Sequence, residues 1–495
     1  MNSRFDLSKT LIIGFIGVYV VRLLISLFMG IMPQDAYYYL YSEHLALSYF
    51  DHPPMVAYML KLSSAIFGQS VLTIKLTDFV ISLLSFFSFY YLATFFLSKR
   101  RALYAAIFYG STLLLTVISM NTTPDVPLIF FWTIALIVIY KAVFLNKLHF
   151  WALSGVLMGL SFDSKYTGLF LLAGLFLFLL MSKNHRHLLF SKQIFVTILL
   201  FLITVAPIIY WNFENDWISF AFQTTERVAD EGQFALKPLL FLGTLGTQLF
   251  LLIPVLFCGM VFIYFKLARK AIKKRRLFDD PTNFLLAFSV PIIGFFFAVS
   301  LISWVKLNWM MPGYVAAIIL ISRYLSKKML YSQVVVSLII HIILFIQVAF
   351  YVVEVKSDDT WYGWEQLAEE VETLKEKNPD SFIFSKDGYK VSAVLNFYLD
   401  EHVYSSNVVG EHGLQFSLID SELDHLEGRD AIFIDSENNF KNLSKSNHIP
   451  GLLYNYFDQV FELEPIVIED SRSRPVRKFL IYSCTGYKGE ADGSK

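Results

Sequence analysis

Two short segments near the start of the chain place ionisable side chains beside long apolar runs. Asp35 follows the first apolar run, directly behind Pro33-Gln34, and a second segment reads Asp51-His52-Pro53-Pro54. Carboxylates and imidazoles beside hydrocarbon are unfavourable unless they are solvated, paired or used in chemistry. A positioned carboxylate can act as a general base, and Asp with His can also hold a metal ion. The search for chemistry therefore starts at these two segments.

Asp35 has two interpretations from its position alone. Asp is a common first residue of helices because its carboxylate accepts backbone N–H groups, so it could simply start a helix. The tyrosine-rich stretch that follows has helical spacing and includes Tyr38, which predicts a helix lying in the membrane interface with its tyrosines at headgroup level. The second interpretation is a catalytic carboxylate at the membrane surface.

Asp51 and His52 precede two prolines. Proline disfavours the helical conformation of the residue before it, so this backbone is expected to be extended and stiff. The pair could bind substrate, hold a divalent metal ion, or merely mark the turn that stops a helix. Two ligands alone do not make a metal site.

Asp125, Lys165 and Tyr166 fall at the predicted ends of other apolar runs, on the same side of the membrane. Asp in the first turn of a helix favours the helix dipole, so Asp125 has a structural as well as a catalytic interpretation. Lys165 could bind a phosphate group as a point charge. Its alternative is a salt bridge to Asp163 or to one of the acidic residues, and Tyr166 beside it is a candidate for substrate binding.

A second group of candidates lies further along the same predicted face. Arg227 and Lys306 could bind a phosphate group, Arg227 through two parallel hydrogen bonds. Trp217 could pack against a sugar, although tryptophans at membrane surfaces are also common interface anchors.

The composition places these residues in a membrane protein. The chain has 495 residues, of which 56% are hydrophobic and only 17% charged, against about a quarter charged in soluble proteins. Apolar runs long enough to cross about 30 Å of hydrocarbon recur along it. The sequence predicts a polytopic α-helical protein with about 11 membrane spans, near residues 10–31, 71–97, 102–120, 124–143, 150–162, 166–182, 192–210, 238–265, 282–303, 308–324 and 330–353.

Basic residues set the expected orientation. With the N-terminus inside, the inner segments hold twenty Lys and Arg, and the outer loops before residue 354 hold six. The positive-inside rule then predicts a cytoplasmic N-terminus and an outer C-terminal segment. We expect a membrane domain over 1–353, with long outer loops at 32–70 and 211–237, and an extracytoplasmic domain over 354–495. Membrane lipids are the expected surroundings, and no nucleic-acid partner is expected.

The segment after residue 354 is polar enough to fold in water. Helical spacing over 364–377 and 391–399 alternates with short β-type runs at 382–384, 431–434 and 478–482, which predicts a small α/β layer domain. The two cysteines, Cys258 and Cys484, are not expected to pair because one lies in a predicted span.

Six segments taken together resemble bacterial GT-C glycosyltransferases, in particular the protein O-mannosyltransferases and the aminoarabinose transferases of lipid A. The resemblance follows the chain in order and covers nearly all of it. The segments are DAYYY at 35–39, YFDHPP at 49–54, TPDVPL at 123–128, SKYTG at 164–168, WN with WISF at 211–220, and NWMMPGY at 308–314.

This resemblance implies transfer of a sugar from a polyprenyl-phosphate carrier to an acceptor at the outer face of a bacterial inner membrane. The acceptor would be a protein, lipid A or another glycan. Asp35 matches the principal catalytic position and Asp125 a second acidic one, which makes Asp35 the expected base of an inverting transfer. Asp51 matches an acidic residue that helps to hold a metal ion in the aminoarabinose branch. His52 departs from the Lys of that branch, and Gln34 from the Asp-Glu of many relatives.

A transporter or flippase for a lipid-linked saccharide is the alternative. It would account for the many spans. Transporters, however, place their binding residues near the middle of the bilayer, whereas the charged candidates here gather at one face.

Overall fold

The structure is a computed structural model that describes residues 7–226, 235–274 and 278–489. The part before residue 353 is helical. Its helices are α1 (Leu7–Phe28), α2 (Pro33–Glu43), α3 (Met55–Phe67), α4 (Val71–Ala93), α5 (Lys99–Gly110), α6 (Leu113–Met120), α7 (Asp125–Leu145), α8 (Leu148–Ser164), α9 (Phe170–Met181), α10 (Lys192–Glu214), α11 (Ile218–Ala221), α12 (Pro238–Leu252), α13 (Pro254–Lys274), α14 (Asp280–Ala287), α15 (Val290–Val299), α16 (Met311–Ile321) and α17 (Lys327–Phe350).

The helices confirm a polytopic membrane protein. Within the described ranges, six helical segments are long and apolar enough to cross a bilayer, and two bent helix pairs raise that number to eight if each pair is one span. Three shorter apolar helices, Met55–Phe67, Tyr166–Met181 and Met311–Ile321, add to these. Two of them coincide with the predicted spans 166–182 and 308–324. The count of about eleven spans stays a prediction.

The predicted span 238–265 is not a continuous helix. Residues 238–265 divide into α12 and α13, which are bent by 115°. Ile253 separates them with a φ of 66°, a left-handed conformation that is unusual for a β-branched residue. Pro254 follows and cannot donate a backbone hydrogen bond, so α12 ends and α13 begins at this point.

A buried arginine stabilises the other bent pair. The helices α5 and α6 meet at 56°, which leaves carbonyl groups at the end of α5 without helical partners. Arg22 of α1 is fully buried and donates to the carbonyl oxygens of Gly110 and Thr112, at 2.9 and 3.3 Å, and to the Thr116 hydroxyl. The same hydroxyl lies 2.6 Å from Nε2 of His341. Arg22 therefore has a structural role at the bend.

The C-terminal part forms a mixed sheet with helices. Its helices are α18 (Trp364–Lys377), α19 (Lys390–Tyr398), α20 (Phe416–Ile419) and α21 (Leu453–Tyr456), and its strands are β1 (Phe382–Ser385), β2 (Val403–Tyr404), β3 (Ala431–Glu437), β4 (Phe457–Glu462), β5 (Ile466–Glu469) and β6 (Pro475–Tyr487). The strand order is β2-β1-β3-β6-β4, with β5 also paired to β6. The pairs of β1 with β2 and β3 are parallel, and β6 is antiparallel to its neighbours. The predicted α/β domain is confirmed.

The chain divides into two compact units that cut across the predicted domain boundary. The first comprises Met1–Leu27, His52–Met59 and Lys75–Phe345, and the second comprises Phe28–Asp51, Leu60–Ile74 and Ile346–Lys495. Most of the first outer loop, including Asp35, thus belongs to the same unit as the C-terminal sheet, whereas His52–Met59 belongs to the first unit. Within that unit α2 packs against α19, where the rings of Tyr39 and Phe397 are 5.2 Å apart.

A carboxyl group in the sheet makes the second unit sensitive to pH. Asp387 follows β1 and accepts the Val391 N–H at the start of α19. Burial raises the pKa of Asp387 to about 6, from the ordinary 3.8, although the hydrogen bond from Val391 opposes the shift. Because the folded state holds the proton more tightly than the unfolded state, this residue's contribution to stability decreases as the pH rises from about 4 to about 6.

We therefore expect Asp387→Asn to stabilise the protein at pH 7 and to have little effect at pH 4. The amide keeps an oxygen that can accept the Val391 N–H. The thermal midpoint of the variant should exceed that of the wild type by on the order of 3 °C at pH 7, with the two converging at pH 4. Asp458→Asn, at an exposed carboxylate, is the control, and its thermal midpoint should equal that of the wild type at both pH values. A difference independent of pH would contradict the assignment.

Candidate active site

Asp35 lies in the first turn of α2, with its side chain fully buried. Its Oδ2 accepts the backbone N–H of Met32 at 2.8 Å, so the carboxylate satisfies one of the donors that a helix start leaves unpaired. Pro33 occupies the first helical position, where its missing N–H is tolerated. Asp35 is therefore the third residue of the helix rather than its N-cap, and the capping interpretation is corrected in this respect.

The tyrosines that follow Asp35 are buried, contrary to the expected exposed interfacial position. Tyr37, Tyr38 and Tyr41 all lie in the interior of the second unit, because α2 packs against the C-terminal sheet domain. The Tyr41 hydroxyl makes a short hydrogen bond to Asp51 Oδ1, and it lies 3.0 Å from the Tyr37 hydroxyl. The ring of Tyr38 packs edge-on against Tyr41, at 5.4 Å. Tyr38 thus supports the group that binds Asp51.

Both hydroxyl groups near Asp51 are held in the protonated form. Burial, with the charge of Asp51 in second place, raises the pKa of Tyr37 and of Tyr41 well above the ordinary value. At physiological pH they can therefore donate hydrogen bonds. Asp51 itself is 8% exposed, so it is an enclosed carboxylate with a strong donor.

The residues around Asp51 and His52 do not fit a metal centre. Catalytic zinc sites have three protein ligands, and among the residues that the structure describes there is no group of three His, Cys, Asp or Glu side chains that could hold a metal ion. Asp51 instead accepts the Tyr41 hydroxyl. We derive no step through a metal, and His52 remains a candidate for binding substrate.

Asp125 forms a buried ion pair in the first unit. Lys165 Nζ lies 2.9 and 2.8 Å from its two carboxylate oxygens, and Asn308 Nδ2 also donates to Oδ2. The side chains of Asp125 and Lys165 are 1% and 9% exposed. The salt bridge that the sequence left as an alternative for Lys165 is therefore present. It connects the start of α7 with the end of α8 and with the segment before α16.

The turn before Asp125 is fixed by two polar contacts from α4. Lys75 Nζ donates to the carbonyl oxygen of Met120 at 2.6 Å, where a cation favours the end of α6. The Thr122 hydroxyl donates to Asp78 Oδ2 at 2.6 Å. These contacts hold the loop that places Asp125 at the first turn of α7.

Of the other predicted site residues, Tyr166 and Trp217 lie in one aromatic cluster with Phe220. The Tyr166 hydroxyl makes a short hydrogen bond to Ser219, and its ring packs on Phe220 at 5.1 Å. Trp217 is stacked near Phe220 but is 46% exposed. Lys306 is exposed. Arg227 lies outside the described residues.

The chain is similar to known proteins both in sequence and in fold. Residues 51–211 match the model of the family described as dolichyl-phosphate-mannose-protein mannosyltransferase. The whole fold resembles ArnT from Cupriavidus metallidurans, with a TM-score of 0.61, 12% identity, and coverage of 96% of this chain and 98% of that one. The family model covers 161 of the 495 residues, and the likeness to ArnT shows a shared fold. The same likeness holds for ArnT in its apo state and for ArnT bound to undecaprenyl phosphate, with equal scores.

A curated relative is similar to part of the chain in sequence. Lipid A galacturonosyltransferase RgtD of Rhizobium johnstonii is 22% identical over 288 residues, which are 58% of this chain. The chain matches 59% of the length of that relative. The segment matched to the mannosyltransferase family model contains five of the candidates, Asp51, His52, Asp125, Lys165 and Tyr166, whereas Asp35 lies before it.

Two polar residues near the site were not predicted. Asn308 donates to Asp125, but the sequence directed attention to Lys306. The available signal was the place of Asn308 at the start of the NWMMPGY segment. Gln415 accepts the Phe50 N–H at 2.8 Å. It lies so far along the chain from Phe50 that spacing gives no indication of the contact.

Proposed function

We propose that this protein transfers a sugar from a polyprenyl-phosphate carrier to an acceptor hydroxyl or phosphate at the outer face of the bacterial inner membrane, with the N-terminus in the cytoplasm and the C-terminal domain outside. The main support is the GT-C fold over nearly the whole chain, together with one relative of the same fold that binds undecaprenyl phosphate. The name of RgtD, which contains lipid A, favours a lipid-linked glycan as acceptor.

In the proposed reaction the acceptor oxygen attacks the anomeric carbon of the donor sugar. The new bond from carbon to acceptor oxygen forms as the bond to the carrier phosphate breaks. Polyprenyl phosphate leaves with the electron pair, and the acceptor proton passes to Asp35. A single base opposite the leaving group is sufficient for inversion, with no second carboxylate acting as nucleophile.

The leaving phosphate requires nearby positive charge in the transition state. Lys165, Arg227 and Lys306 are the proposed sources. Lys165 is already paired with Asp125, which fixes its ammonium group in one position. It would therefore stabilise the negative charge of the leaving phosphate as a preorganised cation. Asp51, with His52, Tyr38, Tyr166 and Trp217, would bind the sugar and headgroup.

The test is transfer from a panel of labelled undecaprenyl-phosphate sugars in membranes that contain the protein or lack it. We expect one donor to label a lipid, glycan or protein fraction only when the protein is present. Carrier-bound sugar that changes leaflets without forming a new glycosidic bond would instead favour the transporter alternative. If the protein supported neither transfer nor leaflet movement with any of the donors, the proposal would be contradicted.

A further inference from the structure

Gln415, in the C-terminal part of the chain, contacts the first outer loop at two points. Its side-chain Oε1 accepts the Phe50 N–H at 2.8 Å, across 365 residues of sequence. Its own backbone N–H donates to the Tyr37 hydroxyl at 3.2 Å. Gln415 is 5% exposed. All of these residues belong to the second unit.

The two contacts converge on Asp51. Tyr41 has a single hydroxyl proton, and the short contact with Asp51 uses it. The Tyr41 hydroxyl is also directed at the Tyr37 oxygen, 3.0 Å away, and that oxygen accepts the Gln415 N–H. Gln415, Tyr37, Tyr41 and Asp51 are thus connected by consecutive polar contacts, in which Tyr37 holds the Tyr41 hydroxyl beside Asp51. The other contact of Gln415 fixes Phe50, the residue immediately before Asp51.

The backbone before Gln415 is held in an unfavourable conformation. Leu414 has a φ of 52°, which is uncommon for a bulky residue and persists only where the surroundings enforce it. The Leu414 N–H donates to His412 Nδ1 at 3.0 Å, and the ring of His412 packs on Phe50 at 4.5 Å. The 412–415 turn is thus shaped to meet the segment that carries Asp51.

We propose that Gln415 is a positioning residue, which orients Asp51 for the donor by fixing Phe50 directly and the Tyr41 hydroxyl through Tyr37. The inference rests on the proposed function, in which Asp51 binds the donor. It assigns to the C-terminal domain a part in the reaction that does not require contact with the sugar.

Gln415→Met tests the side-chain contact, because Met has a similar length and cannot accept the Phe50 N–H. We expect the KM for the donor to rise about tenfold and kcat to change much less, since binding rather than chemistry is weakened. Tyr41→Phe should raise the same KM. In the double variant the KM for the donor should rise by less than the product of the two single-variant factors, because both residues act on Asp51.

Tyr404→Phe is the matched control. It removes a hydrogen bond between Tyr404 and His425 in the same sheet domain, and should lower the thermal midpoint without changing the KM. Hydrogen exchange over residues 48–52 supplies a measurement that does not depend on activity. We expect faster exchange there in Gln415→Met and no change in the control.

The outcomes separate this inference from the proposed function. If the wild type transfers sugar but Gln415→Met keeps both its donor KM and its protection at 48–52, the positioning role is wrong and the proposed function stands. If the wild type transfers nothing from any donor, the proposed function is wrong. In that case hydrogen exchange over residues 48–52 still tests whether Gln415 positions Asp51. If the exchange in Gln415→Met equals that of the wild type, the positioning role is wrong.

Discussion

Asp35→Asn is expected to reduce sugar transfer by about 10³-fold or more, at the upper end of the range for loss of a general base. The amide has nearly the shape of the carboxylate but cannot take the acceptor proton. It keeps an oxygen that can accept the Met32 N–H, the contact that fixes the start of α2. Expression and thermal midpoint should therefore change little. The measurement is the initial rate of label transfer at equal amounts of protein in the membrane.

The matched control for this variant is Asp458→Asn, the same chemical change at an exposed carboxylate that is 69% accessible. Its transfer rate should equal that of the wild type. If Asp35→Asn retained a rate within threefold of the wild type, Asp35 would not be the base. If Asp35→Asn lost activity together with its folded fraction, an Asp35→Glu variant with a normal thermal midpoint would be measured. Its rate of sugar transfer would distinguish a catalytic role of Asp35 from a structural one.

Lys165→Met is expected to be the most destabilising single substitution at the site. It leaves the buried carboxylate of Asp125 with the amide of Asn308 as a neutral donor. Removing one partner of a buried ion pair typically costs about 3–5 kcal/mol, because the other charge stays buried and uncompensated. Asp125→Asn should have a similar effect through the uncompensated Lys165. The measurement is the fraction of protein that remains monodisperse in detergent after heating.

Two comparisons make this prediction specific. The double variant Asp125→Asn with Lys165→Met removes both charges, and we expect it to recover much of the stability while staying inactive. Lys375→Met breaks the pair with Glu401, whose side chains are 20% and 33% exposed; loss of such a partly exposed pair should be worth no more than about 1 kcal/mol. Equal midpoints for Lys165→Met and Lys375→Met would show that the buried pair does not stabilise the fold.

The sequence was sufficient for features that depend on local composition. The apolar runs, the α/β character after residue 354, and the helices at 364–377 and 390–398 are determined by side chains close together along the chain. The apolar runs also placed Asp125 and Lys165 at span ends on one predicted face, without pairing them. The structure adds that they are in direct contact.

What could not be predicted depends on long-range packing. The break inside 238–265 lies at Ile253, which has a positive φ, and at the proline that follows it. Hydropathy is averaged over many residues and does not detect such a break. The burial of the tyrosines after Asp35 follows from the packing of α2 on α19, a contact across some of the longest separations in the chain. Gln415 carried no charge and no motif, so only the folded structure relates it to Asp51.

The measurement that tests the central claim most directly uses purified protein in liposomes with the donor that labels membranes, and follows two products together. The account predicts that the wild type releases polyprenyl phosphate and forms a glycosidic bond in equal amounts, with the anomeric configuration inverted, and that Asp35→Asn forms neither. Carrier release without a new glycoside, retention of configuration, or equal turnover by Asp35→Asn would contradict it.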